Sequence, residues 1–239
     1  MNPPDPTQMM ISNFPRMLGR MTRGAPATPA PVPPELSRVA TYSMSAPHVL
    51  QRQYALARDV VARSVGGDFV ECGVCNGGSA AAIALGFRGA ARHIWLYDSF
   101  EGLPTPKEVD GLDATSYEGR CVGSEDAVRA ALRIANVAAE DCTIRKGWFQ
   151  QTFQRPLPDA VAFLHVDADW YESVMLTLMT FYDRVSEGGV ILLDDFGHWE
   201  GCREAFYDFA ANRNIKPLLE RFGHSQGFWI KGKPHNRGG

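Results

Sequence analysis

A surplus of cations, an even set of cysteines and long apolar runs are all missing from this 239-residue chain. Lys and Arg number 24 against 27 Asp and Glu, a net charge of −3, with neither a basic stripe nor an arginine-rich run. The electrostatic footprint of a nucleic-acid binder is therefore absent. The five cysteines, Cys72, Cys75, Cys121, Cys142 and Cys202, are odd in number and scattered. A chain of this length buries a core without staples, so the pattern fits a reducing cytoplasm. Cys72 and Cys75 have C-x-x-C spacing, but no second pair completes a zinc site and Gly77 and Gly78 follow in place of a helix, which favours core packing over a redox or zinc role. No stretch approaches the roughly 18 consecutive apolar residues of a membrane span. Arg16, Arg20 and Arg23 are not joined to a compact apolar segment and a small-residue cleavage site, so the N-terminus does not read as a signal peptide. No internal repeat is present.

What is there divides into three parts. Residues 1–40 are a leader with Pro26, Pro29, Pro31, Pro33 and Pro34 in close succession, expected to be extended and flexible. An alternative is an arm that orders over the active site or across a subunit boundary. Residues 41–232 alternate strand and helix signals, and 233–239 form a polar tail. Apolar residues at three- and four-residue spacing predict a helix over 47–64. A strand over 68–73 then leads into a glycine loop and an alanine-rich helix, the unit with which α/β folds grip a cofactor. Further strands are expected at 93–98 and 142–146, with a helix opening at Ser124 between them. The region 104–123 holds two prolines and three glycines and reads as a mobile flap. Two last strands, over 216–221 and 227–231, suit an antiparallel edge closing a mostly parallel sheet. The expected fold is thus α/β, a doubly wound and mostly parallel seven-stranded sheet.

The organising stretch is Phe163–Ser173 together with Val190–Asp195, two apolar strand-like runs that each end in acids. Doubly wound sheets bind ligands outside the carboxyl ends of their strands, where Asp167, Asp169, Asp194 and Asp195 fall. A single strand-end acid is often a helix cap, as Asp169 could be. Two acidic clusters point instead to a metal, and oxygen-only ligands at this density suit Mg²⁺. The loop after the first strand is Glu-x-Gly-x-x-x-Gly-Gly-Ser, so the three-glycine pyrophosphate cradle of a dinucleotide site is missing and NAD is disfavoured. Glu71 can accept hydrogen bonds from an amine or hydroxyl there. Asp98 ends the second strand 25 residues beyond Gly73, where such folds place an acid on ribose; the alternative is a turn acid.

Five of these motifs in order carry a resemblance: Asp68–Val74 with Gly77–Ser79, Leu96–Pro104, Lys146–Phe149, Val166–Ser173 and Gly188–Gly197. Across residues 41–231 the chain resembles the macrocin O-methyltransferase family, S-adenosylmethionine- and Mg²⁺-dependent enzymes that methylate sugar hydroxyls of natural products. The resemblance implies a class I methyltransferase fold. It implies that Glu71, Gly73, Gly77, Gly78 and Ser79 hold the methionine end of the cofactor, with Asp98 on the ribose, Ser99 and Phe100 beside the nucleoside, and Gly147 and Trp148 near the adenine. It also implies Asp167, Asp194 and Asp195 as metal ligands, and a homo-oligomer, a dimer or larger. The expected catalytic residues are Asp167, Asp169 and His198, with Asp169 first candidate for the base and His198 second. His165, inside an apolar strand, reads as a core histidine. The expected partner is a small hydroxylated acceptor, a deoxysugar on a natural product. A catechol-type acceptor is the alternative within enzymology, and a non-catalytic cofactor-binding scaffold the alternative outside it.

Overall fold

The computed structural model describes residues 32–233; the expected leader as far as residue 31 and the tail from 234 lie outside the described residues. Seven strands form one sheet: β1 (Asp68–Cys72), β2 (Ile94–Asp98), β3 (Cys142–Lys146), β4 (Val161–Val166), β5 (Val185–Leu193), β6 (Glu220–Phe222) and β7 (Gln226–Ile230). Their order is β3-β2-β1-β4-β5-β7-β6. The first five are parallel, and β7 is antiparallel to both β5 and β6. Helices α1 (Glu35–Val39), α2 (Pro47–Ala62), α3 (Gly78–Gly86) and α4 (Glu125–Ile134) cover one face. Helices α5 (Phe149–Thr152), α6 (Tyr171–Phe181) and α7 (Glu200–Asn212) cover the other. Cover on both sides explains why the central strands are apolar without alternation: on β5, Val190 and Leu192 enter one core while Ile191 and Leu193 enter the other. No described helix is long and apolar enough to cross a membrane.

Four departures from the expected layout have physical causes. Leu36 and Val39 of α1 are buried in the core, so packed structure starts ahead of residue 41. Gly188 and Gly189 lie within β5 instead of turning into it. Pairing with β4 jumps there from Val161↔Val185 to Phe163↔Val190, a bulge that Gly188 admits at φ +81°. The two last strands close the sheet as an antiparallel edge, but the first of them is displaced and shorter, Glu220–Phe222 in place of 216–221: this half-exposed β6 takes the border, while β7, buried at every position, has neighbours on both sides. Finally, the 104–123 region carries two single 3₁₀ turns, Glu108–Asp110 and Ala114–Tyr117, and is tied down by side chains described below.

Candidate active site

The strand order reverses between β1 and β4, and a cavity of about 640 Å³ opens there at the carboxyl ends of the strands. Ladder bonds run right to its floor, from Gly73 N to Tyr97 O (2.8 Å), Asp167 N to Cys72 O (2.9 Å) and Asp194 N to Val166 O (2.9 Å). Gly73 is required at the crossing of the β1 and β4 ends, because a Cβ there would strike the carbonyl of Asp167. Of the residues expected at the cofactor, Gly73, Gly78, Ser79, Asp98, Ser99 and Trp148 line the cavity.

Glu71, Gly77, Phe100 and Gly147, expected beside the cofactor, are not among the residues that line the cavity. The Glu71 side chain is fully buried, accepting from Ser79 Oγ and lying 3.3 Å from His165 Nδ1. Gly77 packs on α4 at Val128, Phe100 is in the core, and Gly147 donates its N–H to the carbonyl of Asp98 (2.9 Å). Gly78 is bare for a reason other than a ligand: the segment leading into α2 presses Ser43 against it. Asp98 is also partly spoken for. Its Oδ2 accepts from Val74 N (2.7 Å) and Cys75 N (2.8 Å), and its Oδ1 from Phe100 N (2.6 Å). Three of about four lone-pair sites are thus filled, leaving one on Oδ1 for a hydroxyl.

The acids come together in two overlapping groups, neither of them the expected trio of Asp167, Asp194 and Asp195. Asp167, Asp169 and Asp195 offer oxygens within 4.8 Å of one another, and His165, Asp167 and Asp194 form a second such group. Burial raises Asp167 well above the ordinary carboxyl range, with Asp194, Asp195 and Asp169 adding to it; burial together with Asp169 and Asp194 does the same for Asp195. Asp169 is pushed up to about 7, first by burial, against the hydrogen bond from Trp199 Nε1 to its Oδ1 (2.9 Å). Its backbone is left-handed, φ +53°, a conformation few side chains tolerate. Asp195 Oδ2 is buried without a partner. An all-oxygen set of mutually repelling carboxylates with an orphaned atom fits a hard divalent cation. Below them His165 is buried between Glu71 and Asp194. Burial would lower it, but the two carboxylates prevail and push it up to about 10, so it is an imidazolium.

Of the outer wall, the 104–123 region was expected beside the cofactor, whereas the segment ahead of α2 was not. Residues 41–46 with His48 and Val49 form one side, with Leu103 and, from the 104–123 region, Pro104 and Cys121 beside them. His198 lines the cavity with His48 and His224, all three exposed, whereas Asp169 belongs to the acid group itself. The 104–123 region is pinned by Asp110, which is buried and accepts from Lys107 N (2.7 Å) and Tyr171 N (2.7 Å), and by Trp170 Nε1 donating to Pro104 O (2.8 Å).

Solved structures share this architecture. An O-methyltransferase from Bacillus cereus in complex with SAH aligns at TM-score 0.58 over 84% of this chain and 92% of that one; at 16% identity the likeness is of fold. The O-methyltransferase NovP aligns at TM-score 0.69 and 28% identity, over 80% of this chain and 83% of that one. The fold is that of the α/β O-methyltransferases, and the family match and relatives that follow define the class as an S-adenosylmethionine-dependent O-methyltransferase. The family model Macrocin-O-methyltransferase (TylF) matches residues 33–231, and the chain belongs to that family. Demethyldecarbamoylnovobiocin O-methyltransferase of Streptomyces niveus is 32% identical over 181 residues, 72% of this chain and 68% of the relative. The 8-demethyl-8-(2,3-dimethoxy-alpha-L-rhamnosyl)-tetracenomycin-C 4'-O-methyltransferase of Streptomyces olivaceus is 30% identical over 182 residues, 71% of this chain and 68% of the relative.

Proposed function

We propose that the chain transfers the methyl of S-adenosylmethionine to a sugar hydroxyl of a natural product and that it needs Mg²⁺, held by Asp167, Asp194 and Asp195. The single observation that carries this reading is the carboxylate cluster on the cavity floor, with its raised Asp167, Asp169 and Asp195 and the partnerless Asp195 Oδ2. The sugar is favoured over a catechol because a relative of 30% identity is named for a rhamnosyl acceptor. When bound, the cation supplies Lewis-acid polarisation of neighbouring acceptor oxygens.

The chain's own residues do the rest. Ser79 and Ser99 face the cofactor from the cavity wall, Asp98 Oδ1 takes one ribose hydroxyl, and Trp148 stands beside the adenine. Trp199 holds Asp169 by Oδ1, which leaves Oδ2 free to receive the hydroxyl proton. The acceptor oxygen forms its bond to the methyl carbon as the carbon–sulfur bond breaks; the proton goes to Asp169 and S-adenosylhomocysteine leaves. Enclosure by residues 41–49 and Leu103–Pro104 limits water around the reacting atoms. The protein is proposed to act as a homo-oligomer, checked by light scattering.

The deciding experiment pairs calorimetric titration with turnover on sugar and catechol acceptors side by side. Asp194→Ala is expected to lose turnover by at least about 10²-fold while binding S-adenosylhomocysteine as the parent does. Undiminished, EDTA-insensitive methylation by this variant would overturn the metal reading, and transfer to no acceptor at all would favour the scaffold.

A further inference from the structure

We infer that Gln53 and Gln226 are positioning residues that fix Asp194 as a rigid ligand with one free lone pair, on Oδ2, available to the cavity. This rests on the metal reading above. The Asp194 side chain is 11% exposed, and three donors hold it from three elements. Its Oδ1 accepts from Gln53 Nε2 on α2 (3.3 Å) and His165 Nε2 on β4 (3.3 Å), and its Oδ2 from Gln226 Nε2 on β7 (3.0 Å). A carboxylate has about four lone-pair sites, so one is left.

Both glutamines are almost wholly buried, at 0% and 4% exposure, and both leave the amide Oε1 buried with no partner. An apolar side chain at either place would avoid an orphaned acceptor, so these amides are costly as packing. What they provide is orientation without charge. A lysine or arginine there would hold Asp194 equally well, but would repel a cation arriving at the same carboxylate. His165 shares Oδ1 with Gln53 at the same 3.3 Å, and its other ring nitrogen faces the Glu71 carboxylate, 3.3 Å away. Asp195 next in the chain has the opposite condition, a buried Oδ2 with no partner, so Asp194 is the fixed member of the pair and Asp195 the adjustable one. The shorter bond makes Gln226 the stronger of the two holders.

The test uses the full chain with Mn²⁺ as the probe, read by calorimetry and by the electron paramagnetic resonance of the bound ion. Gln226→Met and Gln53→Met keep the side-chain length and remove the donor. Gln226→Met is expected to weaken Mn²⁺ about 10- to 100-fold and to broaden the bound-ion spectrum, Gln53→Met to do less, and both to bind S-adenosylhomocysteine within about twofold of the parent. Variants that fold, bind S-adenosylhomocysteine and match the parent for Mn²⁺ would overturn the inference alone. A parent that binds S-adenosylhomocysteine but no Mn²⁺ would remove the metal reading and this inference with it. Should one variant fail to fold, the other, on a different element, decides.

Discussion

Four of the seven described non-glycine residues with positive φ, Cys75, Phe100, Cys121 and Asp169, sit in or beside the cavity. Strained backbone collects where a side chain must be aimed against its own preference. Asp169 is the clearest instance, because the left-handed turn and the Trp199 hydrogen bond together set its carboxylate direction. Asp169→Asn keeps the shape and removes the proton acceptor, and is expected to lower kcat by about 10² to 10⁴ with the cofactor KM unchanged. An unaltered kcat would transfer the base to His198. Trp199→Phe loses one hydrogen bond to a charged group and is expected to cost roughly tenfold or more in kcat. At this scale the acids were legible because strand-end carboxylates are unusual against an apolar run. Gln53 and Gln226 were not, since a polar residue on a helix or strand face says nothing of which side chain it will meet from 141 or 32 residues away.

Among elements, the 104–123 region shows how composition misleads. Prolines and glycines suggest a free flap, yet one buried carboxylate, Asp110, serves backbone N–H groups at both ends of its contact and ties the loop to the start of α6. Trp170 and Trp199 back it from behind, the latter with its ring 4.9 Å from that of Tyr117. Asp110→Ala removes two part-buried hydrogen bonds to a charged acceptor and is expected to lose about 1–3 kcal/mol in urea unfolding. Limited proteolysis should then cut first within 104–123; unchanged stability and an uncut loop would contradict the anchoring role.

The whole molecule carries its acid cluster as a pH-dependent load. Asp167, Asp169 and Asp195 are raised in the folded protein above their ordinary value, so they favour the fold at low pH and this advantage is lost as pH rises, through about 7 for Asp169. His165, raised to about 10, acts in the same direction, its contribution present below about 6.5 and lost towards 10. In EDTA the melting temperature is therefore expected to fall from pH 5.5 to 8, and Mg²⁺ to raise it more at pH 8 than at 5.5, since a bound cation favours the ionised carboxylates. A pH-flat melting temperature with no Mg²⁺ shift, measured by scanning calorimetry, would count against both the cluster's repulsion and its cation.

The chain's local patterns were enough to determine the doubly wound sheet, the order of its first five strands' signals and the gathering of Asp167, Asp169, Asp194 and Asp195 at one rim. Apolar runs, caps and glycine loops act over a few residues and need no partner to be read. Which strand becomes the edge, that Glu71 turns to His165 and away from the cavity, that Asp98 spends three lone pairs on its own loops, and that two distant glutamines converge on Asp194 were decided only by tertiary packing. Each of these depends on a partner distant in the chain, and a hydrogen bond has no signature until both of its ends are in place.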